Sequence, residues 1–424
     1  MWSRFSFYYI GFAIIALILG SLLRSWVFLI IAIANISFLA VALLGLPPKK
    51  FDVKVSRKED LINLYEGDEV KIEISLKNHG DDIQFLEIYD PIPENTEVVE
   101  GNNHLFTDLK KGEKKAIEYT LSCPIRGEMI VGPLKIRYRD SLNMFFKNLK
   151  SKIHTDIRVL PEIEKMKNVK IRPSYTRNWL GNIPSNSIGI GTEFFSLREY
   201  LPGDELRKIN WKATARSSNP ITNEYEGERS GDIVLVVEGF KGTSVGTLRK
   251  NTIKASIKAA ASLASSMLED RNRVGLIVLG DYLNWVYPGY GRDQFYKIID
   301  NLSKIEKGGF WKATDAKWFI KRFFPKRSLI VFITPLLEEK SIETVMDMCM
   351  KEFDVMVISP NPIEIEKEIT EDYNPTAERI LKFERNNIIN RLWRYATVVD
   401  WNPNEPLEAA LNDIARYKKR RRHL

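Results

Sequence analysis

The sequence predicts a multidomain chain: an N-terminal transmembrane helical hairpin, then an all-β module, then an α/β module with a mostly parallel sheet. Three changes of pattern predict it. Residues 5–23 and 27–46 are apolar runs without a single charge. From residue 70 apolar and polar residues alternate with the period of half-buried strands. From about 231 short unbroken apolar runs interleave with helical stretches, the pattern of a sheet covered on both faces.

Composition bounds the function classes. A length of 424 residues accommodates about two or three domains. With 44% hydrophobic and 28% charged residues the chain is globular rather than disordered. A formal net charge of +8 is modest for this size and does not call for a nucleic-acid partner. Cys123 and Cys349 stand far apart without CxxC or Cys/His spacing, which argues against a zinc site and a disulfide framework. The four histidines, His79, His104, His154 and His423, are scattered without ligand spacing. No cofactor is expected.

Within residues 1–50, each apolar run, at about 1.5 Å per residue, approaches the roughly 30 Å hydrocarbon thickness of a bilayer. Arg24-Ser25-Trp26 separates them, and the second run follows too soon for a cleaved signal peptide, although Ala32-Ile33-Ala34 resembles a cleavage site. Lys49, Lys50, Lys54, Arg57 and Lys58 crowd the exit of the second helix, whereas the tip carries only Arg24. The positive-inside asymmetry places the tip outside, and both termini and the soluble domains in the cytoplasm of a cell-membrane protein with two spans.

Residues 51–160 read as an immunoglobulin-like sandwich. Val70 to Leu76 alternates strictly, and Ala116 to Leu121 and Leu134 to Tyr138 alternate with slippage. Glu66-Gly67-Asp68, Asn78-His79-Gly80-Asp81, Lys111-Gly112-Glu113 and Arg126-Gly127-Glu128 supply turns at the spacing of a small antiparallel sandwich. Asp90-Pro91-Ile92-Pro93 marks an edge or turn. No catalytic constellation lies in this stretch, which reads as a spacer or docking module.

Residues 161–230 form a basic, irregular connector that ends in a dense stretch, Gly189 to Arg216. Gly189 and Gly191 permit close backbone approach, and Pro202-Gly203 is a strong turn signal. A helix is expected from Asp204, with Asp204 as N-cap, Glu205 in the first turn, and Lys208, Lys212 and Arg216 toward its C-terminus. On such a helix Arg207 and Trp211 share one face and Ile209 and Ala213 another. One reading is an amphipathic helix with solvated or paired charges. The other is a network of Glu193, Arg198, Glu199, Asp204, Arg207, Trp211 and Arg216 that presents a recognition surface, with Pro202 and Gly203 shaping it. No nucleophile, metal cluster or histidine accompanies these carboxylates.

Residues 231–424 alternate strands and helices. Strands are expected at 232–237, 274–279, 329–333, 355–358 and 396–399, and helices at 247–268, 294–305, 341–351, 377–391 and 406–417. Ligands in such folds bind beyond the carboxyl ends of the strands. Gly242-Thr243-Ser244-Val245-Gly246 matches a G-x-S-x-G elbow between a strand and a helix, but the only later histidine is His423 in the terminal basic tail. That tail is a solvated helix end or a cluster touching anionic lipid.

The run Gly191, Glu193, Phe194, Leu197, Arg198, Tyr200, Pro202, Gly203, Asp204, Arg207, Ile209, Trp211, Ala215 and Arg216 resembles the signature of the family known as domain of unknown function fifty-eight. The resemblance extends along nearly the whole chain. It implies a membrane hairpin, a β-rich module and a von Willebrand factor A-like domain, together with action beside a MoxR-type AAA+ ATPase. No activity is established for that family. A-like domains usually hold a divalent metal through Asp-x-Ser-x-Ser, a Thr and an Asp. This chain departs from that pattern, since Glu238, Thr314 and Thr334 stand at those places and Lys241 follows Glu238. A functional metal site is therefore not expected.

The leading expectation is a non-enzymatic, membrane-anchored adaptor whose partners are the lipid bilayer and a MoxR-type AAA+ ATPase. Two alternatives stand beside it: an enzyme using the Glu199, Asp204 and Arg207 cluster, and a metal-dependent adhesion protein.

Overall fold

The computed structural model of the chain describes residues 4–44, 52–59, 61–139, 144, 146–167, 171, 183–217, 219–229, 232–239, 241–279, 283–305, 328–350, 353–370 and 374–413. They divide into two compact units, Met1–Leu160 and Pro161–Leu424.

The first unit begins with helices α1 (Arg4–Leu22) and α2 (Trp26–Leu44), which reverse at Arg24 in the left-handed region, φ 48°. Small residues fill the seam. Ala13, Ala16 and Ala32 are buried, and a Cβ on Gly20 would stand 3.1 Å from the Leu29 side chain. Phe7, Tyr8, Ile15, Leu22, Trp26 and Ile33 point outward and are exposed. This arrangement inverts a water-soluble helix pair, which turns its large apolar residues inward. The stretch Phe5–Leu22, with a mean hydropathy of 2.0, is long and apolar enough to cross a membrane, whereas the corresponding stretch of α2, Trp26–Val41, is shorter.

The rest of the unit is β. One sheet, in the order β1-β3-β7-β5, comprises β1 (Val53–Arg57), β3 (Glu69–Asn78), β7 (Lys114–Ser122) and β5 (Glu97–Gly101). A second, β10-β9-β4-β6, comprises β10 (Phe146–Lys150), β9 (Lys135–Arg139), β4 (Ile83–Tyr89) and β6 (His104–Leu109). A third joins β2 (Leu61–Tyr65), β11 (Thr155–Leu160) and β8 (Gly127–Val131), with β2 and β11 parallel. Alternation explains the core. Val70, Ile72, Ile74 and Leu76 of β3 turn inward and share one cluster with Leu86, Ile88, Ile136, Leu121 and Val159.

Polar groups also lie in this core. Arg57, at the end of β1, pairs with Asp90, just past β4, with both side chains almost wholly buried. Tyr119 donates to Asp90 Oδ2 at 2.6 Å, and Arg57 donates to Thr155 Oγ1 at 3.3 Å. Burial, followed by the neighbouring Asp90 charge, pushes the Tyr119 hydroxyl pKa far above its ordinary value. Arg57 is therefore a core residue rather than the juxtamembrane charge expected from sequence, while Lys49 and Lys50 lie outside the described residues.

In the second unit β12 (Ile183–Glu199) and β13 (Ile221–Arg229) form an antiparallel ribbon with register shifts between Pro184 and Ser196. The expected irregular connector is thus β over much of its length. A six-stranded sheet follows in the order β16-β15-β14-β17-β18-β19. Its strands are β14 (Asp232–Glu238), β15 (Arg273–Leu279), β16 (Leu283–Gly289), β17 (Leu329–Ile333), β18 (Asp354–Pro360) and β19 (Thr397–Trp401). All neighbours are parallel except the edge strand β16.

The ribbon and sheet are joined by α3 (Trp211–Thr214), α4 (Thr252–Glu269), α5 (Gly291–Ser303), α6 (Glu339–Cys349), α7 (Pro362–Ile369) and α8 (Pro375–Leu392), and residues 407–413 are helical. Val234 and Val236 pack with Ile342 and Val345 of α6 and Ile389 of α8 on one face, and α4 covers β14 and β15 from the other. The expected strands recur with each end within two residues. α4 starts at Thr252 rather than 247 because Asn251 caps it, accepting from Lys254 N–H at 2.8 Å. The sequence reading contained neither β16 nor α7: aromatic residues blur the alternation of Leu283–Gly289, and Pro362–Ile369 is only about two turns long.

The buried pair makes a stability prediction. Asp90→Ala strands a buried guanidinium and is expected to cost about 3–5 kcal/mol, against about 1 kcal/mol for Tyr119→Phe. Denaturant unfolding of the two variants tests that order, and equal losses would contradict it.

Candidate functional site

The dense stretch leaves β12 at Glu199 and returns to β13 at Ile221, closed at its base by Tyr200 N–H donating to the Pro220 carbonyl at 2.8 Å. Pro202-Gly203 makes the expected turn, with Gly203 at φ +110° and Asp204 N–H donating to the Leu201 carbonyl at 3.0 Å.

The expected continuous helix from Asp204 is not formed. Leu206–Lys208 is a single 3-10 turn, Ile209 leaves it in extended conformation to bridge Thr222, and α3 begins at Trp211 under an Asn210 cap. A helix over 204–216 would forfeit the pairing of Ile209 with β13. Asn210 Oδ1 accepts from Ala213 N–H at 3.0 Å, and its amide donates to Asn223 Oδ1 at 2.8 Å. Thr214 Oγ1 accepts from Ile221 N–H at 2.9 Å.

Asp204 consequently caps a turn instead of a helix. Its Oδ2 accepts from Leu201 N–H at 2.9 Å, and both its oxygens take a fork from Arg198, at 2.8 Å from Nη1 and 2.7 Å from Nη2. Arg198 Nε donates to Glu224 Oε1 at 2.8 Å, Nη1 also donates to the Glu199 carbonyl, and Ser196 Oγ donates to Glu224 Oε2 at 2.5 Å. The Arg198 hydrogen bond, joined by that of Leu201, holds the Asp204 carboxyl below its ordinary range. Asp204 in turn raises the Arg198 guanidinium.

Of the other predicted residues, Glu199 accepts from the Asn219 side chain at 3.3 Å. Arg207 is 92% exposed, 3.8 Å from Glu205, and lies on a different element from Trp211. Pro202 and Arg216 are exposed. The backbone of Gly189, Gly191 and Glu193 belongs to β12, and the Glu193 side chain lies outside the described residues. Ser196, Asn210, Thr214 and Glu224 were missed, because only the β12–β13 register brings them to Arg198 and the α3 cap.

The network turns charges inward and leaves apolar groups outside. Phe194, Leu197, Leu201, Leu206 and Trp211 are all exposed, the last two at 70% each.

A second location is the carboxyl edge of the sheet, where β14 runs to β15 on one side and β17 lies on the other, the topological switch point. Glu238 ends β14 and Thr334 follows β17. Both are fully buried, and Ser341 of α6 donates to Glu238 Oε1 at 2.8 Å. Glu238 Oε2 meets no donor in hydrogen-bond geometry. Burial pushes the carboxyl up to about 7, against the lowering effect of the Thr334 and Ser341 hydroxyls. The donor set does not fit a divalent cation, which wants several oxygens: there is one carboxylate held near neutrality, and Thr334 Oγ1 is taken up by Leu336 N–H at 3.1 Å. Thr314 lies outside the described residues. The G-x-S-x-G stretch forms no elbow, since α4 starts at Thr252, well past Ser244.

Residues 196–394 match the family model described as "Protein of unknown function DUF58", a narrower span than the nearly whole-chain resemblance. The "Uncharacterized protein YeaD" of Bacillus subtilis is 23% identical over 265 residues, 61% of this chain and 63% of that protein. "Uncharacterized protein Rv1480" of Mycobacterium tuberculosis is 27% identical over 165 residues, 37% of this chain and 50% of that protein. This chain therefore spans between half and two thirds of the length of these relatives. Among solved structures, the CARDB domain of the PF1109 protein from Pyrococcus furiosus aligns with 27% of the chain and 92% of its own, at 15% identity and TM-score 0.19. A non-cellulosomal cohesin from Archaeoglobus fulgidus aligns with 26% and 91%, at 10% identity and TM-score 0.17.

Glu238 sets a pH dependence. Its native carboxyl keeps a proton up to about 7, whereas an unfolded glutamate releases it near about 4.3, so the folded state binds more protons between and stability falls as pH rises through that window. Glu238→Gln is expected to remove this slope and to exceed wild type by about 1–3 kcal/mol at pH 8, with little difference at pH 4. Denaturant midpoints across that range provide the check.

Proposed function

We propose that this chain is a non-enzymatic, membrane-anchored adaptor that docks a protein partner through the loop between β12 and β13. The exposed Leu201, Leu206, Trp211 and Arg207 on a loop ordered by the ion pairs of Arg198 carry this reading. Exposed tryptophan, leucine and arginine on a pre-ordered backbone suit an interface anchor, because little side-chain and loop entropy remains to be lost on binding. The family resemblance makes the partner a MoxR-type AAA+ ATPase. In the same reading α1 and α2 both span the bilayer with the soluble parts cytoplasmic, the β module is immunoglobulin-like, and the six-stranded domain is von Willebrand factor A-like without its metal.

The commitment of Asp204 and Glu224 to Arg198 favours an adaptor over an enzyme, since carboxylates held in a bidentate pair are poor proton acceptors.

A direct binding measurement between the full chain in detergent and a purified MoxR-type ATPase from the same cells, with and without ATP, tests the reading. Leu206→Ala with Trp211→Ala removes exposed side chains only, so the variant is expected to keep its melting temperature and to lose about tenfold or more in affinity. Absence of any association with the wild type in every nucleotide state sinks the adaptor reading.

A further inference from the structure

The outer face of the sheet β10-β9-β4-β6 carries a cleft of about 530 Å³ that no part of the adaptor reading uses. Its position follows from register. Asn148, Arg137 and Glu87 lie abreast across β10, β9 and β4, and Lys135, Tyr89 and His104 lie abreast across β9, β4 and β6. Alternation sends these side chains outward while Ile136 forms part of the floor.

The charges on this face do not cancel. Glu87 is the common partner of Arg139 at 3.0 Å, His104 at 3.3 Å and Arg137 at 3.6 Å. Arg137 is further steadied by Nε donating to Asn148 Oδ1 at 3.0 Å. Lys135 has no ion pair among the described residues; its Nζ sits 5.7 Å from the centre of the Tyr89 ring. Tyr89 in turn meets His104 edge-on at 6.0 Å. Lys135 and Arg137 thus line the concavity together with Glu87, whose charge Arg139 also meets from beyond the lining, and its size is that of sites that hold small ligands. With Glu87 offset by Arg139, the charges of Lys135 and Arg137 are left over.

We propose that this cleft binds a phosphate monoester dianion. The two cations left over match a dianion, and Lys135 and Arg137 of β9, with Asn148 of β10 and His104 of β6, offer donors from three strands to the several oxygens of a tetrahedral group, where a planar carboxylate would need only one guanidinium fork. Glu87 is the internal counter-ion with which the ligand competes for Arg137. The same chemistry is found in a soluble phosphate monoester and in the headgroup of phosphatidic acid.

Two probes separate these sources. Glycerol 3-phosphate is titrated calorimetrically against the full chain in detergent, and nanodiscs of phosphatidylcholine with and without phosphatidic acid are compared as hosts for the chain by phosphorus NMR. The expected result is saturable one-site binding, weakened about tenfold or more by Lys135→Gln with Arg137→Gln and strengthened severalfold by Glu87→Gln, which removes the competing carboxylate. Binding of free glycerol 3-phosphate identifies a soluble ligand, and binding of phosphatidic acid alone identifies the headgroup; both uphold the site. If the double variant fails to fold, the gain from Glu87→Gln decides. Absence of saturable binding with either probe, or binding unchanged in the substituted proteins, overturns the proposal.

Discussion

Arg198 is the constraint on which the shape of the loop between β12 and β13 depends. No residue of the 3-10 turn at Leu206–Lys208 or of α3 is buried, so this loop has almost no core of its own. One guanidinium ties β12 to the Pro202–Gly203 turn through Asp204 and to β13 through Glu224. Each of these contacts is partly exposed, and pairs of that kind add little to global stability. Their effect is local: they select one backbone path among the many that a solvated loop of this length could take. With Arg198, Asp204 and Glu224 engaged at the base, the outer surface carries Leu201, Leu206 and Trp211 beside the exposed Arg207.

The six-stranded sheet solves a different problem. Every residue of β14 is buried, so the carboxyl end of that strand delivers Glu238 into a place that water does not reach. Ionising it there is costly, and Ser341 satisfies only one oxygen. An open cation site needs several anionic oxygens and an unoccupied position. The switch-point crevice of this chain is filled by the fully buried Thr334 and by Leu336 and Ser341, which are nearly so.

Much of the architecture was legible because burial writes itself as a period. Val70 to Leu76 alternates in sequence and alternates in burial, and the unbroken run at Asp232–Val237 lies between two covered faces. The Pro202–Gly203 turn was equally legible, since its chemistry is local. The helix expected from Asp204 was not realised because Ile209 gains a pairing with Thr222, a contact 13 residues away that no local signal announces. Arg57 misled for a similar reason: soon after an apolar helix it reads as a surface charge, whereas its partner Asp90 lies just past a strand of another sheet. Glu224, which completes the Arg198 network, is invisible without the ribbon's register.

The same distinction separates structural charges from recognition charges. Around Arg198 two carboxylates meet one guanidinium, so that cluster leaves no positive charge to recruit an anion, and the exposed rim of Leu201, Leu206 and Trp211 becomes the feature that a partner could read. Around Glu87 the ratio is reversed. Arg137 and Arg139 share a single carboxylate on an outward face, with Lys135 over Tyr89 on the same face, where alternation alone would pass them off as solubility residues. Their spacing along β9 puts all three on one face, and the register of β4 against β9 sets one carboxylate, Glu87, beside Arg137. A local excess of charge in a concave site strengthens the field at the place where a counter-charge would sit. A neutralised network fixes shape, and an unneutralised one leaves a vacancy for a ligand of opposite sign.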